Sequence, residues 1–82
     1  MKHQTSMAIL RVLSLVDGKG GGVGVSLKFV ADWAEIPRAT TDRYLKALYE
    51  LGLIQIHWTV WRGASRRLFS IGQDGRDWLA AK

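Results

Sequence analysis

The spacing of apolar residues changes at Gly52, and this change bounds the fold more tightly than any other feature of the chain. Up to that glycine, Leu45, Leu48 and Leu51 recur at helical intervals. Beyond it, Ile54, Ile56, Trp58 and Val60 alternate with Gln55, His57, Thr59 and Trp61, which is strand spacing. A helix that stops at a glycine and runs straight into a strand must turn sharply there, and Gly52 suits such a stop. The turn Arg62-Gly63-Ala64-Ser65 then sends the chain back, and Arg66 to Ile71 reads as the return strand with Phe69 and Ile71 on one face. In this register Trp58 points inward and is expected in the core.

The helical half can be divided in the same way. Thr5 to Asp17 reads as a first helix, with Thr5 or Ser6 as its cap and Ile9, Leu10, Leu13 and Val16 as its buried face. Ala8, Val12 and Leu15 make the remaining faces apolar too, more than one side of a small domain can hide, so a second contact such as a dimer partner is expected. Asp17 to Ser26 contains five glycines and reads as a flexible connector. It matches neither G-x-G-x-x-G nor the P-loop pattern, so it carries no phosphate-binding signature. Ser26 is placed to cap a second helix running to about Glu35, with Val30, Ala31 and Ala34 inward and Ile36 closing the turn. Pro37 fits the first turn of a third helix, Arg38 to Leu51, with Leu45, Leu48 and Leu51 as its core stripe and Thr41 facing inward. Gly72-Gln73-Asp74-Gly75 reads as a break, followed by a short last helix from Arg76 to Ala81 anchored by Trp78 and Leu79. The expected fold is α+β and mainly α, with three helices, a two-stranded hairpin and a short C-terminal helix. The 82 residues fit one domain spanning 1–82.

Charge placement narrows the function. The net charge is +5, and residues 38–67 alone carry +4, against +1 for residues 1–37 and zero for 68–82. A basic stretch concentrated in this way is the footprint of a polyanion-binding surface, with a merely solvated basic face as the plain alternative. There is no cysteine, and His3 and His57 are isolated, so no metal site and no cofactor is expected. His3 falls in an N-terminus expected to fray, and His57 stands alone on a strand. No Ser-His-Asp set or carboxylate pair suggests catalysis, so an enzyme is not expected. Met7 to Val16 is apolar and follows Lys2, but it contains Arg11 and no small-residue cleavage site, so it reads as a helix and not as a leader. No apolar run reaches membrane-spanning length, and a cytoplasmic, nucleoid-associated location is expected.

The stretch from Ile36 to Ile54, with its Thr40-Thr41 start, Arg43, leucines spaced by three and Gly52-Leu53-Ile54 exit, resembles the recognition helix of the winged helix-turn-helix superfamily. Phe69-Ser70-Ile71-Gly72-Gln73-Asp74-Gly75-Arg76-Asp77-Trp78-Leu79 is similar to the ending aromatic-x-Leu-Thr-x-x-Gly-x-x-x-Leu of MarR-like and PadR-like regulators. It departs from that pattern at Gly72, where the family has a capping Thr. The resemblance covers about residues 26–79 and implies a small transcriptional regulator. With no sensor domain, such a regulator would act by occupying double-stranded DNA or by recruiting another protein.

A helix fits the DNA major groove, and its exposed N-terminal half reaches base edges. The residues assigned to DNA contact on this basis are Arg38, Thr40, Thr41, Arg43, Tyr44 and Lys46 on the helix. In the hairpin they are Arg62, Ser65, Arg66 and Arg67, whose guanidinium groups suit phosphates or a narrow minor groove. Against this stand a solvated outer face with a weak Lys46–Glu50 pair, and ordinary charge protection of a sheet edge. A-form RNA denies a helix its major groove, so duplex DNA is the preferred partner. The competing function is a winged-helix module for protein contacts, favoured by the apolar first helix and by Trp33 and Trp61, expected to be exposed. Both fit a homodimer formed through the first and last helices.

Overall fold

The computed structural model describes residues 3–17 and 24–81. Its elements are α1 (His3–Asp17), α2 (Leu27–Ala34), α3 (Arg38–Glu50), β1 (Ile54–Trp61), β2 (Ala64–Ile71) and α4 (Gln73–Ala80). Four helices and one antiparallel hairpin make it mainly helical, as the sequence implied.

α1 lies at the centre. Ile9, Leu10 and Leu13 are buried, and the helix touches α2, α3, α4 and β2. It begins at His3, ahead of the expected start, so Thr5 and Ser6 lie inside it and do not cap it. The added residues are held by packing: the His3 ring lies 5.1 Å from the Trp78 ring of α4, and Ser6 is buried. His3 itself stays exposed and meets the domain through that ring contact. The apolar surplus expected on α1 is largely absorbed within the chain, because Val12 is also buried. Leu15 remains as its exposed large apolar side chain among the described residues. Residues 18–23 of the expected connector lie outside the described residues. Its last part is ordered by pairing, since Val25 exchanges two backbone hydrogen bonds with Phe69 of β2, at 2.9 and 2.7 Å.

α2 starts where the Ser26 hydroxyl accepts from the Phe29 N–H at 3.2 Å. Val30 and Ala31 are buried as expected, while Ala34 is half-exposed. α2 and α3 end by the same device, in which a left-handed residue lets the next amide reach back to a carbonyl five residues earlier. At the end of α2 Glu35 is left-handed (φ 57°) and the Ile36 N–H donates to Ala31 O. At the end of α3 Gly52 is left-handed (φ 77°) and the Leu53 N–H donates to Leu48 O at 3.0 Å. In each case the residue after the turn, Ile36 or Leu53, packs against the core. This corrects the expected core stripe of α3. Leu45 and Leu48 are buried, but Leu51, whose N–H still bonds to Ala47 O as the C-cap of the helix, is 62% exposed, and Leu53, beyond the Gly52 turn, packs against the core.

The hairpin pairs Ile54 with Ile71 through to Trp61 with Ala64. Its turn is two residues long, Arg62-Gly63, both with positive φ (51° and 77°), as a type I′ turn requires. Ala64 and Ser65, expected in the turn, belong to β2. Alternation along β1 is as read, but burial is not. Ile54 is buried and Ile56 half-buried, whereas Trp58 and Val60 are 69% and 70% exposed. The expectation of a core Trp58 fails because the strands run past the helices: eight residues span about 26 Å, and the core ends at the Ile56–Phe69 pair.

α4 begins at Gln73, directly after Gly72, so the expected break at 72–75 is its first turn. Gly72 offers no side-chain cap, in keeping with its departure from the capping Thr. Asp74 in the first turn complements the helix dipole. Gly75 is buried against the Leu53 carbonyl, where a Cβ would collide with that oxygen and come within 2.8 Å of Ile71 Cγ1. Trp78 and Leu79 pack against the core, as expected. Gly75→Ala is expected to lower stability by about 1–3 kcal/mol through overpacking against backbone. A urea titration measures it, and an unchanged midpoint would mean that α4 does not dock as closely as described.

Candidate nucleic-acid interface

The outer face of α3 carries Arg38, Arg43 and Lys46, all exposed, and Thr40 is half-exposed in the first turn. The helix starts as it does because Pro37 cannot continue a helix backwards and its carbonyl accepts from the Thr41 N–H at 2.9 Å. The Thr41 hydroxyl donates to that same carbonyl at 3.0 Å, and its side chain is fully buried. Thr41 therefore belongs to the core, and its assignment to DNA contact is corrected. Tyr44 is half-buried and packs against the core, leaving part of its ring at the surface.

In the hairpin, Arg62 sits in the turn and Ser65 and Arg66 are exposed just beyond it. Arg67 points the other way, toward α3. Its Nη2 donates to Asp42 Oδ1 at 2.9 Å, and its guanidinium carbon lies 5.4 Å from the Phe69 ring centroid. The second carboxylate oxygen of Asp42 meets Lys46 Nζ at 3.2 Å. One carboxylate thus joins a cation from its own helix to a cation from the hairpin. The pairing replaces the expected Lys46–Glu50 contact, and with the acid four residues ahead of the lysine it runs in the favourable direction along the helix.

The bridge sets the protonation of Asp42. Partial burial pushes its carboxyl up, but the hydrogen bonds from Arg67 and Lys46 and the charges of both outweigh this and hold it below the ordinary aspartate value. Asp42 went unremarked as a link because its partner lies 25 residues away, and only the folded hairpin brings the two together. His57, which stood alone in the sequence, shares a 3.1 Å hydrogen bond with Ser70. Among the described residues no cluster of His, Cys, Asp or Glu forms a metal-binding group, and no helix is long and apolar enough to cross a membrane.

The order of elements, with two short helices joined by a tight turn and a hairpin following, places α3 where a helix-turn-helix holds its recognition helix. Residues 8–56 match the IclR helix-turn-helix domain. The chain belongs to the IclR helix-turn-helix domain family. The match begins in α1 and ends in β1, so it takes in both helices of the motif and the Gly52 corner. No curated protein matches the chain. Among solved structures, this IclR-type domain is similar to a candidate DNA-binding protein from Ralstonia eutropha JMP134, with 25% identity and a TM-score of 0.78 over 99% of this chain and 96% of that one. It is also similar to a PadR family transcription regulator from Clostridium difficile R20291, with 15% identity and a TM-score of 0.76 over 94% and 80% of the two chains. The fold recurs in MepR of Staphylococcus aureus, solved as a DNA complex, with 12% identity and a TM-score of 0.69 over 99% of this chain and 53% of that one. The winged-helix resemblance seen in the sequence is thus met by the fold, with IclR as the family.

Asp42→Asn is expected to lower stability near neutral pH by about 1 kcal/mol or less, since the bridge is partly open to solvent. A carboxyl whose value is lowered on folding contributes above its unfolded range and loses that contribution as pH falls through the lowered folded value. Thermal melts should therefore separate wild type from Asp42→Asn at neutral pH and bring them together in strong acid. A gap that persists in strong acid, well below the ordinary aspartate range, would show that the charge bridge is not its cause.

Proposed function

We propose that this domain is a small transcriptional regulator that binds double-stranded DNA with sequence specificity, acting as one winged-helix unit over residues 1–82. In this reading α3 lies in the major groove, and the 62–67 wing lies on the backbone or in the minor groove. The observation that carries it is the convergence of separated cations. Arg38, Arg43 and Lys46 from α3 and Arg62, Arg66 and Arg67 from the wing come from two elements that Asp42 ties together. Six cations against the one bridging carboxylate of Asp42 leave a net repulsion, which a polyanion relieves.

Each residue then has a role. Arg43 faces bases or phosphate from the middle of α3, with Arg38 and Thr40 at the helix start. Tyr44 reaches the DNA backbone by its open side. Lys46 and Arg67 arrive pre-positioned by Asp42, while Arg62, Ser65 and Arg66 supply the tip. The protein is read as a binder and not an enzyme, working in the cytoplasm at the nucleoid. A homodimer through α1 and α4 completes the reading, with Leu15 as the exposed apolar residue that favours α1 as a contact. A protein-contact role for the same fold is favoured by one observation, the exposed Trp33 stacked on Phe29 at 5.1 Å on α2.

Fluorescence anisotropy on a labelled random-sequence duplex tests the reading. Affinity is expected to fall steeply with salt as condensed counterions are released. Arg43→Ala and Arg66→Ala are each expected to weaken binding and reduce the log–log salt slope by about 0.9 for each phosphate no longer neutralised, with melting temperature unchanged. No binding at low salt would favour the protein-contact role, and wild-type affinity in both variants would misplace helix and wing. Selection from a random duplex library would then give the target sequence.

A further inference from the structure

The outer half of the wing exposes an apolar strip on the same face that forms the core at the wing's base. Directly paired residues of an antiparallel hairpin share a face. Ile54 with Ile71 and Ile56 with Phe69 pack on the helices, and the next pairs on that face are Trp58 with Arg67 and Val60 with Ser65. Arg67 reaches α3 at Asp42, so this face of the wing looks toward the N-terminal half of the recognition helix. Trp58 and Val60 stand beside that contact, and both are more than two-thirds exposed.

We infer that Trp58 and Val60 form an apolar contact strip for the deoxyribose edges of duplex DNA, flanking the cations of α3 and the wing. The inference rests on the DNA-binding reading and adds a contact that is not ionic. Neighbouring exposed apolar side chains mark contact surfaces, and the charges around these two select the occupant. The Asp42 bridge holds two cations against one carboxylate beside this strip and Arg62 lies in the adjoining turn, while Arg66, paired with Thr59, adds its charge from the opposite face. A second copy of this chain docking here would bring these like charges together without compensation. A nucleic acid offers both halves of the complement, with phosphates for the cations and sugar C–H edges along the minor groove for the indole and the valine. Minor-groove proteins also use apolar side chains against DNA, there as wedges between base steps.

The test is the same anisotropy titration, run with the full chain on a random-sequence duplex across a salt series. Trp58→Ala is expected to lose about tenfold in affinity at every salt concentration, in the range of aromatic contacts to nucleic acid. The salt slope should stay as in wild type, because no counterion is released by an indole. Arg66→Ala, run in parallel, should show a shallower slope. Trp58→Phe should keep most of the affinity. Val60→Ser, further along the strip, should bind about threefold more weakly, as suits one exposed aliphatic side chain, with the slope unchanged. The two exposed positions should leave the melting temperature near wild type, and Val60→Ser and Trp58→Phe keep the test open if the alanine variant melts early. Wild-type affinity in Trp58→Ala and Val60→Ser, or a shallower slope in either, would overturn the inference while leaving the DNA reading in place. So would a wild-type dimer in sedimentation that Trp58→Ala converts to monomer, which would assign the strip to a second copy. A wild type that binds no duplex at low salt would overturn the DNA reading and this inference together.

Discussion

The corner at Leu53 holds the molecule together. Its N–H closes the end of α3 on Leu48 O, and its carbonyl accepts from the Gly72 N–H at 3.0 Å and receives the bare Cα of Gly75. Three junctions therefore meet on one residue: helix to strand, strand to last helix, and last helix back to the first turn after α3. A peptide group turned inward needs both of its hydrogen bonds satisfied, and both bonds of Leu53 are spent on joining elements. Gly52 makes the corner possible by accepting the left-handed turn. Gly75 makes it tight by having no side chain.

The corner has a consequence for the binding surface. It fixes the base of the hairpin on the core, and the hairpin is longer than the core is wide. The outer strand residues therefore project beyond the helices, and the contact between Arg67 and Asp42 is what ties the projecting part to α3. Asp42 lowers the net positive charge of the surface, but it also holds Lys46 and Arg67 on a common anchor. A carboxylate among cations is costly to a polyanion ligand in simple charge terms. Its place here is explained by geometry, since a free wing would lose conformational entropy on binding.

The IclR helix-turn-helix match and the structural neighbours agree on the motif formed by α2 and α3. The cations of this chain cluster on that motif and on the wing beyond it. α1, which in isolation looks apolar on every side, spends most of that surface inside the domain because four elements surround it. Outside the wing, the exposed large apolar residues among those described, Leu15 on α1, Trp33 on α2 and Tyr49 and Leu51 at the end of α3, come from three separate elements, whereas Trp58 and Val60 stand on one face of one strand.

Local chemistry was enough for much of this. The Ser26 cap, the buried Val30 and Ala31, the stop at Gly52, the alternation after it and the basic run from Arg38 to Arg67 all depend on residues within a few positions of each other, so the sequence alone determined the order of elements and the charge of the surface. The remaining features depend on distance in space. Whether an inward-facing residue is buried depends on what lies opposite, and Trp58 has no helix beneath it. Leu51 ends α3 exposed while Leu53, beyond the turn, packs inward, and α4 starts at Gln73, where Gly72 and Gly75 fit against a carbonyl 19 and 22 residues earlier. Asp42 becomes a link only because the hairpin brings Arg67, 25 residues away, to its carboxylate. The sequence determined a winged helix with a basic face. Only the tertiary structure decided which cations are held, which threonine is buried and that Trp58 is left exposed, because each of these is set by contacts between elements that no local pattern encodes.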